Sequence, residues 1–307
     1  MSQCNLCPRA CGVDRDAGQV GRCHADATVR VARASLHMWE EPCISGTRGS
    51  GTVFFTGCNL GCVYCQNFNI ADGTNGTPVS ESDLASIFLR LQDMGANNIN
   101  LVTPSHFVPQ VVSALEQAKS HGLTLPIVYN TSSYESVSTL SMLDGLVDVY
   151  LPDLKYRDPR LSEKYSFAPD YFHVASEAIA EMVRQVGEVG FTELQNGVSE
   201  PGSITRGVIV RHLLLPGNVR DSKRVVKYLW ETYGDRIYMS LMCQYTPLPH
   251  VGPYPELCRK VTEEEYDELV DFAVELGITQ AYTQEMESAA ESFIPDFEHF
   301  DLSSFLG

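Results

Sequence analysis

Three cysteines, Cys58, Cys62 and Cys65, stand within the twelve-residue stretch TGCNLGCVYCQN (56–67). Thiolate sulfur is a soft ligand that suits zinc, copper(I) and iron–sulfur clusters. At these spacings the thiols would share one helical face, but Gly57, Asn59 and Gly61 argue for a glycine-rich loop instead. Such a loop can fold around a metal centre and aim three sulfurs inward. A structural zinc site takes four protein ligands, whereas a catalytic metal keeps one position open. A four-iron cluster held by three cysteines has one iron without a protein ligand, and that iron is free to bind a small molecule.

A second set lies at the amino terminus. Cys4, Cys7, Cys11 and Cys23 form C-x2-C-x3-C-x11-C. Four thiols close a tetrahedral zinc site or hold another iron–sulfur cluster, and spacing leaves both open. A segment of about fifty residues with little apolar content needs such a staple. Eight of the ten cysteines fall in the first 65 residues. That clustering belongs to metal binding in a reducing compartment rather than to a disulfide framework. Cys43 reads as a loop thiol and Cys243 as a small buried apolar residue; no role is assigned to Cys258.

Hydrophobic content of 44% and charged content of 20% describe a folded globular chain, not a disordered one. The formal net charge is −17, from 39 acidic and 22 basic residues, so a nucleic-acid partner would be repelled. The acid-rich last 45 residues read as a solvated helix face. No apolar run is long enough to span a bilayer, and MSQCNLCPRA carries no apolar signal region. The expectation is a cytoplasmic protein with no membrane partner.

The sequence divides into a cysteine-rich lobe, residues 1–50, and a larger unit, residues 51–307, with a helical carboxyl-terminal extension. In the larger unit, strand-like runs rich in Val, Ile, Leu, Phe and Tyr cover 51–57, 98–104, 126–132, 148–154, 207–217 and 236–247. Helical patterns lie between and after them. One, SESDLASIFLRLQDMG, opens with Ser/Asp cap candidates and stops at Gly95; another stops at Gly122. Six βα units imply a parallel sheet with right-handed crossovers, too few to close an eight-stranded barrel. The expected fold is therefore α/β, a partial (β/α)6 TIM-like barrel of parallel strands with a small metal-binding lobe. Chemistry in such a sheet belongs at the carboxyl ends of the strands. Those ends read TGCNLGC, TPSH, YNTSS, PDLKY, RHLLLPGN and QYTPLPH.

CNLGCVYC, directly after the first strand, resembles the signature of the radical S-adenosylmethionine (SAM) superfamily. GTRGSGTVFFTGCNLGCVYCQN, PDLKY and IVRHLLLPGN further resemble segments of the pyruvate formate-lyase activating enzyme-like group. The likeness runs over nearly the whole chain, although the amino-terminal cysteines are matched only in homologues of those enzymes. By this resemblance, Cys58, Cys62 and Cys65 bind a [4Fe–4S] cluster whose open iron takes the amino and carboxylate groups of SAM. Tyr64 would lie by the adenine. Thr103, Ser105 and His106 occupy the place of a GGE-like stretch that contacts the SAM amino group. His106 read on its own is equally a helix-capping histidine. Asn130, Thr131, the Leu151 carbonyl and Asp153 would surround a monovalent cation, and Lys155 would pair with the SAM carboxylate. Arg211 would lie close to SAM, and the two-residue strand period then turns His212 to the other face. Gln244 and Tyr245 are expected to line a substrate cavity.

The activity so implied is reductive cleavage of SAM to methionine and a 5′-deoxyadenosyl radical, which takes a hydrogen atom from a substrate. That substrate would be a glycyl radical enzyme or other protein or peptide, with a small molecule as the second candidate. A flavodoxin or ferredoxin would supply the electron. A non-catalytic metal-stapled binding or electron-transfer protein is the alternative of a different class.

Overall fold

The computed structural model describes residues 3–192, 202–286, 295, 297 and 300–305. Strand β1 runs Val29–His37, helix α1 Pro42–Ser45, β2 Ser50–Phe55, α2 Phe68–Ala71 and β3 Thr77–Val79. Then come α3 Glu81–Asp93, β4 Ile99–Val102, α4 Val108–Ser120, β5 Ile127–Thr131, α5 Val137–Leu140 and β6 Val149–Pro152. They are followed by α6 Pro159–Ser166, α7 Tyr171–Val186, β7 Gly190–Phe191, β8 Ile204–Leu213 and α8 Val219–Tyr233. Last are β9 Tyr238–Met242, α9 Glu263–Glu275 and β10 Ala281–Tyr282.

One sheet holds the strands in the order β10-β9-β8-β6-β5-β4-β2-β1-β3, with β7 paired to β8. From β2 through β10 every neighbour along that path is parallel. β1 is antiparallel to both β2 and β3, so the path ends at edges rather than closing into a barrel. All six expected strands are present, and β10 adds a short seventh to the parallel series. β1 lies inside the first fifty residues and hydrogen-bonds along most of β2, so the sheet begins at Val29.

The helices form where the sequence supplies both a cap and a stripe. The Ser80 hydroxyl accepts from the Asp83 amide while the Asp83 carboxylate accepts from the Ser80 amide, a reciprocal box that starts α3. Leu84, Ile87, Phe88 and Leu91 then bury one face of it against the sheet. Gly95 and Gly122 end α3 and α4 at φ +87° and +100°, where a side chain would be strained.

Opposite faces of the strands do different work. Val53, Phe55, Leu101, Ile127, Tyr129, Tyr150, Val208 and Val210 pack with the helices in the main core. Val128, Val149, Leu151 and Ile209 face inward and pack on Cys43 and Ile44 of α1. α1 thus plugs the amino ends of the strands, tied there by Asn97 and Asn98, which donate to the Ser45 and Ile44 carbonyls at 2.7 and 2.8 Å. The expected loop thiol Cys43 is a buried part of this floor. Among the described residues, no helix is long and apolar enough to cross a membrane.

Candidate active site at the strand ends

The loop 56–67 leaves the carboxyl end of β2 and is built by close approach. Gly57 sits at φ +85°, and a Cβ there would lie 2.4 Å from the Cys23 carbonyl oxygen. Only glycine fits, for steric and conformational reasons together. The Cys65 amide donates to the Cys62 carbonyl at 3.2 Å, turning the chain between the second and third cysteines. Gln66 then donates to the Gln244 carbonyl at 3.0 Å, binding the loop to the end of β9.

Cys62 and Cys65 lie within electrostatic reach of Cys58, of each other and of Lys155. Burial, helped by the neighbouring Cys58 and Cys62, pushes the Cys65 thiol up to about 12. Burial likewise raises Cys62, while Lys155 and the Ser166 hydroxyl, donating at 3.0 Å, pull the other way. Burial disfavours thiolates here unless a cation joins them, as metal binding would. Three soft donors, a glycine-made cradle and one adjacent cation fit an anionic iron–sulfur cluster.

Lys155 is held 2.6 Å from Asp153. Burial would lower its ammonium, but Asp153 and then Cys62 outweigh that and hold it well above its ordinary value. Asn130, two residues after Val128, shares the inner face of β5. Arg211 is inward as well, beside Asp153 in the sheet, whereas His212 turns outward and donates to the Leu154 carbonyl at 2.7 Å. Arg211 is already engaged: it donates to Glu41 at 2.8 and 2.5 Å and to Glu40. Glu40 in turn accepts from Asn100 at 3.0 Å. The guanidinium counters burial of Glu41 and brings its carboxyl below the ordinary range. No local pattern marks these two acids beyond their lying side by side before Pro42.

Other expected contacts fall elsewhere. Thr131 and Ser105 donate their hydroxyls to Glu135, the former at 2.5 Å, and Tyr129 adds a third bond at 3.2 Å. The strand period puts Thr131 on the face opposite Asn130, so its side chain does not complete a ring of oxygens with Asn130 and Asp153. His106 donates from Nε2 to the Thr56 carbonyl at 2.7 Å, and burial lowers it to about 4. It is a neutral structural brace behind the loop. Thr103 adopts φ +58° at the end of β4, with its amide bonded to the Asn130 carbonyl at 2.9 Å.

Tyr64 is buried in a cluster of rings with Tyr156, Tyr165 and Tyr245, and the Tyr156 hydroxyl donates to its own at 2.6 Å. Tyr245, expected at a cavity wall, instead donates to the Leu257 carbonyl at 2.7 Å inside that cluster. Tyr171, which sequence reasoning passed over, staples two strand ends by donating to the Ser132 and Asp153 carbonyls at 2.8 and 3.0 Å. Cys243 is wholly buried on the helix side, and Cys258 is exposed.

A hollow of about 510 Å³ opens on the same rim, between Asp158, Arg160 and Lys164 after β6 and Gly217, Asn218 and Arg220 after β8. Another of equal volume, beside Val29, Val79 and Gln110, lies on the β1–β3 edge and takes no part in the cysteine loop.

The profile of the 4Fe–4S single cluster domain matches residues 45–167. An uncharacterised protein of Methanocaldococcus jannaschii is 26% identical over 290 residues, covering 92% of this chain and 77% of that one. Among solved structures, a domain of pyruvate formate-lyase-activating enzyme from Bacteroides vulgatus is 12% identical with a TM-score of 0.41, over 58% of this chain and 91% of that one. SuiB of Streptococcus suis bound to S-adenosylmethionine is 13% identical with a TM-score of 0.48, over 74% of this chain and 47% of that one. A chitinase catalytic domain from Pyrococcus furiosus reaches 0.40, so scores of this size do not separate one chemistry from another. The weight rests on the profile, which spans the three-cysteine loop and the ends of β2, β4, β5 and β6. What that match shows is a likeness to a 4Fe–4S single cluster domain over 123 of the chain's 307 residues.

Proposed function

We propose that the protein is a radical SAM enzyme of activating-enzyme type, with Cys58, Cys62 and Cys65 holding a [4Fe–4S] cluster. The observation that carries this is the convergence of those thiols with Lys155 at the carboxyl ends of β2 and β6. Cys58, Cys62 and Cys65 would hold the cluster, which when bound would supply one-electron reductive cleavage of a carbon–sulfur bond of SAM, with methionine as the leaving group and the adenosyl carbon left to take a hydrogen atom from the substrate.

The chain's own residues have defined tasks. Lys155 places a buried positive charge beside Cys62, which favours thiolate over thiol and offers a partner for a carboxylate. The Ser166 hydroxyl donates to the Cys62 sulfur, a contact that tunes a cluster's potential. The tyrosines around Tyr64 exclude water from behind the loop. Inside the sheet, Asn100 Oδ1 is buried and has no partner among the described residues, next to the Glu40–Glu41–Arg211 set. That polar interior is the place for the substrate's reacting group. The substrate is a protein or peptide, and the hollow after β6 and β8, rimmed by charged side chains of both signs, is its approach. The electron comes from a flavodoxin- or ferredoxin-type donor. A second metal belongs to Cys4, Cys7, Cys11 and Cys23.

The test is anaerobic reconstitution with iron and sulfide, then reduction with SAM present. Wild type should release 5′-deoxyadenosine, and Cys62→Ala should lower that release at least 100-fold. Equal release from both proteins rules the reading out, and release from neither favours the electron-transfer alternative.

A further inference from the structure

The amino-terminal lobe is a set of turns that brings its cysteines together. The Cys4 amide donates to the Val13 carbonyl at 3.0 Å and the Gly12 amide to the Cys4 carbonyl at 3.1 Å, closing the segment 4–13 on itself. Within it the Ala10 amide donates to the Cys7 carbonyl at 3.0 Å, and Ala10 is held at φ +40°, which reverses the chain between Cys7 and Cys11. A Cβ at Gly21 would lie 2.4 Å from the Cys11 sulfur. The Cys11 thiol is therefore seated against the turn in which the His24 amide bonds the Gly21 carbonyl, and that turn presents Cys23. Cys23 lies within electrostatic reach of Cys4 and Cys11, and Cys7 within reach of Cys23.

The residues between and beside these cysteines grip the radical loop. Arg9, between Cys7 and Cys11, donates to the carbonyls of Asn59 at 2.9 Å and Leu60 at 3.4 Å, both lying between Cys58 and Cys62. The same guanidinium donates to Phe167 at 2.7 Å and Ser166 at 3.3 Å, and it lies 4.8 Å from the Tyr134 ring centroid. Arg22, next to Cys23, also reaches the Leu60 carbonyl, at 3.5 Å. The Cys23 carbonyl itself occupies the space that a Gly57 side chain would need.

We propose that Cys4, Cys7, Cys11 and Cys23 form a four-thiolate metal site, and that loading it fixes the Cys58–Cys65 loop through Arg9. Arg9 is a positioning residue: it touches neither metal, but it spans from one ligand set to the backbone of the other. The shared chemistry is a thiophilic centre, zinc or iron–sulfur, closed by four protein ligands. Among the described residues no three His, Cys, Asp or Glu side chains stand close enough to share a single ion. A single zinc ion would therefore have to draw these turns together, whereas a cluster bridges sulfurs set farther apart; either would restrain them, and that restraint is measurable. The coupling to the loop rests on the reading of Cys58–Cys65 as a cluster site; the four-thiolate site does not.

The experiment uses the full chain, reconstituted anaerobically with iron and sulfide in one arm and with Zn²⁺ in the other. Iron, sulfide and zinc are counted per chain, and hydrogen exchange is followed across residues 4–24 and 57–64. The variant lacking Cys58, Cys62 and Cys65 should keep one metal centre, iron or zinc according to the arm that fills it. Cys4→Ala/Cys11→Ala should lose that centre. Loading the lobe should slow exchange in both segments about tenfold in wild type, but only in residues 4–24 in Arg9→Ala. Arg9→Ala should also alter the SAM-induced change in the electron paramagnetic spectrum of the reduced loop cluster, and Arg9→Lys should restore part of it. Loss of all metal from the three-cysteine variant, or normal coupling in Arg9→Ala, overturns the proposal. If wild type makes no deoxyadenosine while the lobe still binds metal and tightens, the failure belongs to the catalytic reading alone.

Discussion

The ends of the same strands carry two polar sets that face opposite ways. Asn130, Asp153, Lys155 and Arg211 gather on the inside of the sheet with Glu40 and Glu41. Thr131, Ser105, Glu135, His106 and His212 gather around its helix side. The helix-side set is tied largely to itself: hydroxyls close on one oxygen of the Glu135 carboxylate, and each imidazole closes on a backbone carbonyl through one of its nitrogens. The inner set is a row of charges, and one of them, Lys155, acts on a cysteine of the loop. Polarity at a strand end does not by itself mark chemistry. Direction does, and strand parity sets direction.

The largest expected effect probes the inner set where it is most crowded. Arg211→Met would leave Glu40 and Glu41 buried without their counter-charge. Breaking one side of a buried ion pair costs about 3–5 kcal/mol, which should appear as a lower urea midpoint at unchanged slope. Adding Glu41→Gln should recover part of the loss. A cost below about 1 kcal/mol would mean that the inner charges are no more constrained than surface ones, and the contrast between the two faces would fail.

A smaller effect belongs to the helix side and is read by pH. The His106 imidazole titrates at about 4 in the folded chain because it is buried, against about 6.5 unfolded. Between those values the unfolded chain binds more protons, so stability is full above pH 6.5 and falls as pH drops toward 4. The loss from pH 7 to pH 5 is about 2 kcal/mol. Glu135 works in the other sense, since burial raises its carboxyl and lets the folded chain take up a proton more readily. Comparing wild type with His106→Gln isolates the histidine: denaturation curves of the variant should shift less between pH 7 and 5. An identical shift in both would show that His106 is not the buried neutral brace described here.

How much of this was legible follows from where each residue sits. Arg211 and His212 lie inside β8, a long regular strand, so alternation puts them on opposite faces and the resemblance names Arg211 as the inward one. The same rule applied to Asn130 and Thr131 would have separated them, but likeness to a motif grouped them as one ligand set. Ser105 and His106 occupy a short 3-10 turn beyond β4, where no two-residue period holds. β1 escaped notice because its sequence, VRVARASLH, mixes arginines and small residues along an antiparallel strand rather than forming an apolar run. Glu40 and Glu41 come from the connection between β1 and β2. Only the tertiary position of the α1 plug brings them to Arg211, and no local pattern encodes that. The three-cysteine loop was the easiest to read because its glycines, spacing and place after a strand all reported the same constraint.

The smallest expected effect lies on the boundary between the two sets. Thr103 is a β-branched residue at φ +58°, a conformation that costs such residues about 1–3 kcal/mol. The strand end is held there by the bond from its amide to the Asn130 carbonyl, which links β4 to the inward residue of β5. Glycine would relieve the strain but lose about 0.5–1 kcal/mol to the greater freedom of the unfolded chain. Thr103→Gly should therefore be about 1 kcal/mol more stable, seen as a rise of a few degrees in Tm. If the strained turn belongs to the inner set, the stabilised variant should bind the cluster normally yet release deoxyadenosine more slowly. If it belongs to the helix-side set, stability should rise with activity unchanged. A variant less stable than wild type would show that the turn holds no strain to release.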